Sequence, residues 1–179
     1  MISKDFKIIF KAVKLFRVKI QFAKNILVTG ESGFIGSHLI RHFVKKYSNY
    51  CLHGLDALTY ASNRKYTKEL EMLPNYRFHQ VDIRNRLNVF TLFETYKFSD
   101  VIHLAAESHV DNSISDPLIF AKTNIIGTIN LLQAFRSYKN HKNKLFYHIS
   151  TDEVYGSILE GSFNESSNFN PSSPYSASK

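Results

Sequence analysis

The sequence predicts an α/β fold with a doubly wound, mostly parallel sheet. Residues 26–28, 51–55, 76–81, 101–104 and 145–149 read as strands, the first of them an apolar run with the composition of a buried parallel strand. Longer segments with apolar residues at three- and four-residue steps separate them. The first run ends in a glycine-rich turn that opens a helical pattern. Strands alternating with helices make βαβ units.

Taken in order, the globular pattern starts at Asn25, with Ile26, Leu27 and Val28 leading into Thr29-Gly30. A helix over 34–47 follows; His38 and His42 lie four apart on one of its faces and read as surface. Cys51 begins the second strand as a small buried hydrophobe. A helical patch over 65–73 uses Met72 to fill a gap, and 76–81 is the third strand. Leu87, Phe90, Phe93 and Tyr96 give 86–97 a helical spacing. After the strand at 101–104, a long helix runs over 117–138, with Ser115 or Asp116 as N-cap and Pro117 in its first turn. Gly127 inside it permits close packing. The strand at 145–149 is followed by a Ser/Asn/Pro-rich loop over 161–174.

Composition narrows the function classes. The chain has 179 residues, 44% hydrophobic and 14% aromatic, which excludes a disordered chain. A single cysteine excludes a disulfide scaffold and suits a reducing, cytoplasmic setting. No apolar run approaches the roughly 20 residues of a membrane span. The formal charge of +8 suggests a polyanion partner. However, Lys4, Lys7, Lys11, Lys14, Arg17, Lys19 and Lys24 face Asp5 alone in residues 1–24. The chain therefore divides into a basic amphipathic extension, 1–24, and a domain, 25–179. The extension reads either as an unselected appendage or as a helix for an anionic membrane or a partner groove. No nucleic-acid partner is expected.

Gly30, Gly33 and Gly36 recur at steps of three after the first strand. Such glycines allow a tight turn, close approach of a pyrophosphate, and close packing of the helix on the strand. The helix N-terminus adds partial positive charge toward phosphates. Asp56 follows Gly36 by 20 residues at the end of the second strand, where a ribose diol needs a carboxylate. It also repels a 2′-phosphate, so the cofactor expected is NAD in a Rossmann-type domain. Glu31 is unfavourable beside phosphates unless it points to solvent. Asp82 and Ile83 either hold the adenine or simply form a strand-end turn. Leu104, Ala105 and Ala106 offer small residues where a dinucleotide passes.

Tyr175 and Lys179 are four apart, on one face of a helix. A nearby ammonium stabilises phenolate, so the pair can act as a base near neutral pH. Thr151-Asp152-Glu153 follows the last strand directly. The two carboxylates suit separate acid and base roles; the same tripeptide is also good helix-capping chemistry.

With these segments in view, the sequence resembles the dTDP-glucose 4,6-dehydratase family, within the extended short-chain dehydrogenase/reductases. The matching stretches are 29–36, 56–61, 82–84, 103–113 (HLAAESHVDNS), 123–132, 148–156 (HISTDEVYG) and 171–179. The departures are Glu31-Ser32, usually smaller residues, and the N-terminal extension. The resemblance implies that Phe34, Ile35, Asp56, Ala57, Leu58, Thr59, Asp82, Ile83, Leu104, Ala105, Ala106, Glu107, Ser108, Thr123, Tyr175 and Lys179 contact NAD. It implies that Ser108 and Thr151 touch the sugar of dTDP-glucose. Tyr175 would take the C4 hydroxyl proton as hydride leaves for NAD. Glu153 would remove the C5 proton, and Asp152 would protonate the leaving C6 hydroxyl.

It further implies a homodimer built on the helix at 117–138, and a C-terminal substrate domain before which this chain is truncated. The expectation is an enzyme fragment with an impaired dimer and little activity alone, whose terminal Tyr/Lys turn frays. Two other readings stand beside it: another NAD-dependent sugar-nucleotide dehydratase or epimerase, disfavoured by Asp152-Glu153, and a non-enzymatic NAD-binding remnant.

Overall fold

The structure, a computed structural model, describes residues 21–137 and 144–179. The helix expected over 1–24 lies, apart from residues 21–24, outside the described residues, as does residue 138 of the long helix. The described chain forms β1 (Lys24–Thr29), α1 (Phe34–Lys46), β2 (Tyr50–Asp56), β3 (Tyr76–Gln80), α2 (Arg86–Tyr96) and β4 (Asp100–His103). It continues through α3 (Val110–Ser115), α4 (Pro117–Arg136), β5 (Leu145–His148) and α5 (Pro174–Ser178).

All strand pairs are parallel, in the order β3-β2-β1-β4-β5. The sheet is doubly wound: the chain moves outward from β1 to β3, then crosses to the other side of β1. Thr29 is level with Leu55 of β2 and with His103 of β4. That reversal opens a crevice at the C-terminal ends of β1 and β4, where open α/β sheets bind ligands.

The centre of the sheet is buried on both faces, which explains the unbroken apolar run in β1, whereas the edge strand β5 is largely exposed, with Leu145 and Tyr147 open to solvent. Ile26 and Val28 pack with Ile40 and Val44 of α1, whereas Leu27 faces Val89 and Phe93 of α2 and Leu131 and Ala134 of α4. Each fully buried side chain of this kind contributes roughly 1.5–3 kcal/mol. On α1, Gly36, Ser37, Ile40 and Val44 are buried, while His38 and His42 are exposed.

Several elements differ from the sequence expectation. Residues 64–72 form two 3-10 turns, Arg64–Tyr66 and Lys68–Met72, because Thr67 between them turns its hydroxyl to a buried carboxylate. Met72 is 88% exposed and fills no gap. α3 was not expected. Finally, α4 changes its hydrogen-bond step: Ala121–Gly127 is π-helical between α-helical Pro117–Phe120 and Thr128–Arg136.

Asp116 caps α4 by accepting from Ile119 N–H at 3.4 Å. The 20 residues of α4 are long and apolar enough to cross a membrane by length and composition, contrary to the reading of the sequence. Here α4 lies against the sheet, with Phe120, Asn124, Gly127, Asn130, Leu131 and Ala134 buried. A Cβ on Gly127 would stand 2.6 Å from Ile83, so the glycine does permit close packing.

Candidate functional site

The crevice holds a cavity of about 510 Å³. Its floor is the turn between β1 and α1. Gly30 takes φ +69°, and a Cβ there would lie 2.7 Å from the amide nitrogen of Ala105. The β1 turn and the β4 loop therefore touch through bare backbone. Gly36 is closed off more tightly, since a Cβ would meet the Gly30 carbonyl oxygen at 2.1 Å. Gly33 differs: only that carbonyl, at 3.3 Å, borders its Cβ position. The start of α1 carries no side-chain cap and no acidic residue in its first turn. It offers its free N–H groups to an anion. This open cradle fits a pyrophosphate.

Asp56 ends β2 and is 6% exposed. Its Oδ1 accepts from Leu58 N–H at 2.8 Å and the Ser62 hydroxyl at 2.7 Å; its Oδ2 accepts from Ser32 N–H at 3.0 Å. A carboxylate offers about four acceptor positions, so one is left for a ribose hydroxyl. Leu58 itself does not line the cavity; it takes φ +58° and turns its N–H back to Asp56. Ala57 and Thr59 on either side do line it.

Asp82 and Ile83 border the cavity. Arg84 grips Asp82 through Nε at 3.0 and 2.8 Å and Nη2 at 2.5 Å. Burial raises the Asp82 carboxyl, but the bonds from Arg84 outweigh it and hold it below the usual range. Ile83 is 3% exposed and packed over Gly127, so only a sliver faces the cavity.

Behind the β4 loop runs a buried polar chain that the sequence reading missed. Thr29 Oγ1 accepts from Leu104 N–H at 3.2 Å and Ala105 N–H at 3.1 Å. Its own proton therefore goes to His103 Nδ1, 2.7 Å away. His103 Nε2 then donates to Thr128 Oγ1 at 2.8 Å, and Thr128 donates to the Asn124 carbonyl at 2.5 Å. Burial, with His148 and Lys179 nearby, holds His103 down to about 3, so the imidazole is neutral. The Asn124 side chain accepts from Glu107 N–H at 2.8 Å and donates to the Glu107 carbonyl at 3.0 Å and to Ser178 Oγ at 2.8 Å. Asn124 is buried in mid-helix, and an asparagine amid Ile and Gly in a core helix was its only sequence signal.

Tyr175 and Lys179 both line the cavity. Lys179 Nζ donates to the Ile149 carbonyl at 2.7 Å, and burial lowers its ammonium below the usual value. Tyr175 meets Phe120 edge-on, with ring centroids 6.4 Å apart. The turn that carries them is capped: Ser173 and Ser176 form a capping box, and Asn124 donates to Ser178 Oγ.

Leu104, Ala105, Ala106, Glu107, Ser108 and Thr123 also line the cavity. Thr151, Asp152 and Glu153 do not; Ile149 and Ser150 just before them do. Thr151 accepts from Glu153 N–H at 3.3 Å and so caps the 3-10 turn Asp152–Tyr155. Asp152 is exposed, while Glu153 is half-buried.

Glu31, unfavourable beside phosphates unless turned away from them, avoids the phosphate site by burial rather than by pointing to solvent. It is fully buried on the side of the loop away from the cavity. It accepts from Ser32 Oγ at 2.9 Å, Arg64 Nη1 at 3.1 Å, Thr67 Oγ1 at 3.2 Å and the Tyr76 hydroxyl at 3.2 Å. Burial raises its carboxyl, and those bonds and the guanidinium charge pull the other way.

Three comparisons set this site among known proteins. The family described as GDP-mannose 4,6 dehydratase matches residues 27–179. A dTDP-glucose 4,6-dehydratase of Haemophilus influenzae is 48% identical over 163 residues, which are 87% of this chain and 48% of that protein. The chain thus spans about half the length of the curated relatives it matches. The crystal structure of DesIV, a dTDP-glucose 4,6-dehydratase from Streptomyces venezuelae with NAD bound, superposes with a TM-score of 0.79 at 42% identity, over 87% of this chain and 48% of that one. A UDP-Glc/GlcNAc 4-epimerase from Campylobacter jejuni also gives 0.79, at 29% identity, over 88% and 46% of the two chains.

Proposed function

Because the chain belongs to the GDP-mannose 4,6 dehydratase family, we propose that it is the NAD-binding and catalytic portion of a dTDP-glucose 4,6-dehydratase. One observation carries this reading. A single cavity gathers the open face of Gly33, the Asp56 carboxylate, and the Tyr175/Lys179 pair. The 48% identity to a dTDP-glucose 4,6-dehydratase supports the substrate class, and the epimerase likeness is weaker at 29%.

NAD, when bound, supplies a reversible acceptor for hydride. The chain's own residues do the rest. The α1 N-terminus and Gly33 hold the pyrophosphate, and the free position on Asp56 takes an adenosine ribose hydroxyl. Ile83 and Asp82 flank the adenine, with Asp82 shared with Arg84. Leu104 to Ser108 and Thr123 form the opposite wall. Tyr175 moves the proton of the sugar C4 hydroxyl, and the Lys179 ammonium stabilises its phenolate. Glu153 takes the C5 proton, and Asp152 protonates the leaving C6 hydroxyl, on a turn fixed by Thr151. Water leaves across C5 and C6, and return of the C4 hydride to C6 with a proton to C5 gives the 4-keto-6-deoxy sugar nucleotide. The exposed row Leu118, Ile125, Ile126, Ile129 and Leu132 on α4, 41 to 66% exposed, serves a homodimer.

Two measurements test the reading. Calorimetry of the chain with NAD should give saturable binding; its absence would sink the cofactor assignment. Mass spectrometry of dTDP-glucose incubated with the protein carrying this segment should show loss of water. NAD binding without any such loss would leave a dinucleotide-binding module.

A further inference from the structure

We infer that Glu31 is a positioning residue for the cofactor's adenosine ribose, acting through the segment 62–67 on the Asp56 carboxylate. The inference rests on the NAD reading above. Its basis is a closed circuit of bonds behind the glycine turn. Glu31 gathers Arg64 and Thr67 from that segment, at 3.1 and 3.2 Å. Arg64 is fixed further by Glu71 at 2.5 Å and by the Phe78 ring, 3.7 Å below its guanidinium. The near end of the same segment then reaches the cofactor site. Asn63 N–H donates to the Ser32 carbonyl at 2.8 Å, and Ser62 Oγ donates to Asp56 Oδ1 at 2.7 Å. Ser32, whose hydroxyl is held by Glu31, gives its N–H to Asp56 Oδ2 at 3.0 Å. Both oxygens of Asp56 are thus oriented by groups that Glu31 holds in place.

The chemistry makes the arrangement costly to undo. A buried carboxylate is stable only while paired and hydrogen-bonded, and removing one partner leaves the other uncompensated. Glu31 has four donors, one of them the Arg64 guanidinium, and no buried side-chain polar atom among the described residues lacks a partner. A ligand-binding carboxylate works when its orientation is set in advance by neighbours that do not touch the ligand. Glu31 contributes no atom to the cavity wall, so its effect on a ligand passes through Asp56.

The test compares NAD with its analogue lacking the adenosine 2′-hydroxyl, by calorimetry on the full chain. Wild type, Glu31→Gln and the milder Thr67→Val are measured, with circular dichroism to establish folding. Wild type is expected to prefer NAD over the analogue. Glu31→Gln should weaken NAD about tenfold while leaving the analogue's affinity nearly unchanged, so the preference collapses; Thr67→Val should act in the same direction, less strongly. Equal weakening of both ligands in a folded variant, or no change in either, overturns the inference, because Glu31 would then be structural only. Thr67→Val decides the matter if Glu31→Gln does not fold. Failure of the wild type to bind NAD removes both this inference and the cofactor reading, whereas failure of the preference to collapse removes this one alone.

Discussion

The side chain of Glu31 occupies the space that a side chain on Gly54 would need: a Cβ on Gly54 would lie 2.6 Å from Glu31 Cγ and 2.9 Å from its Cδ. Gly54 is in the interior of β2, where glycine ordinarily weakens a strand. Here it makes room for a buried carboxylate held by four donors, which cannot swing aside. Gly54→Ala should cost about 1–3 kcal/mol of unfolding free energy, read from urea denaturation. In a Glu31→Ala background the same substitution should cost clearly less. Equal costs in the two backgrounds would show that the two positions are not coupled.

The three glycines of the β1–α1 turn should separate by role. Gly36→Ala drives a Cβ to 2.1 Å from backbone and should destabilise by about 2 kcal/mol or more. Gly33→Ala meets only one oxygen, at 3.3 Å, and should shift stability by less than about 1 kcal/mol. Its new methyl nevertheless stands on the phosphate approach, so NAD affinity should fall at least about tenfold. A Gly33→Ala protein that binds NAD normally would contradict the cradle described for the turn.

Asn124 ties the β4 loop to the turn bearing Tyr175 through three side-chain bonds. Asn124→Leu keeps the volume and leaves the Glu107 N–H without an acceptor. A loss of about 1–3 kcal/mol is expected. Amide exchange at Glu107 should also speed up well before global unfolding; an unchanged rate there would mean that the loop is held by something else.

Acid should destabilise the fold through three imidazoles, the buried His53 and His103 and the half-buried His79. His53 Nε2 donates to Asn25 Oδ1 at 3.1 Å, so its Nδ1 accepts from His79 Nε2 at 3.0 Å. Burial, then the neighbouring charges, lowers His53 to about 3 and His79 to about 4, and His103 lies at about 3 for a like reason. Unfolded, these groups titrate near 6.5, so across that interval the unfolded chain binds more protons. The contribution is complete above about 6.5 and is lost as pH falls toward 4 and then 3. The urea midpoint should drop between about pH 7 and about pH 5. His79→Gln, which still donates to His53 and cannot protonate, should show a smaller drop.

Much of this was legible in the sequence. The apolar runs of β1 and β2, the glycine steps and Asp56 are local signals, and local patterning places them at one sheet edge. Glu31 was not legible, because its partners Arg64, Thr67 and Tyr76 lie 33, 36 and 45 residues away. Read locally, a carboxylate in a phosphate turn belongs in water; only the packing of β3 and the 3-10 turns reveals a pocket for it. The helical patch expected over 65–73 rests on spacing that the two short 3-10 turns, Arg64–Tyr66 and Lys68–Met72, also satisfy. His103 and Thr128 were missed for a similar reason: each looks unremarkable alone, and they meet where α4 packs on β4, 25 residues apart.

The π-helical stretch Ala121–Gly127 amounts to one residue more than an α-helix of the same span would hold. That makes α4 a place where the chain can shorten without breaking. Deleting Ile126, which is half exposed, should let the helix close up as regular α, with helical content by circular dichroism preserved. What would go is the angular step between Asn124 and Thr128, one of which faces the β4 loop and the other His103. The surplus residue is thus dispensable to the helix and is retained by the geometry of the crevice, so natural length variation in this protein's relatives should avoid α4 even though its backbone would tolerate it.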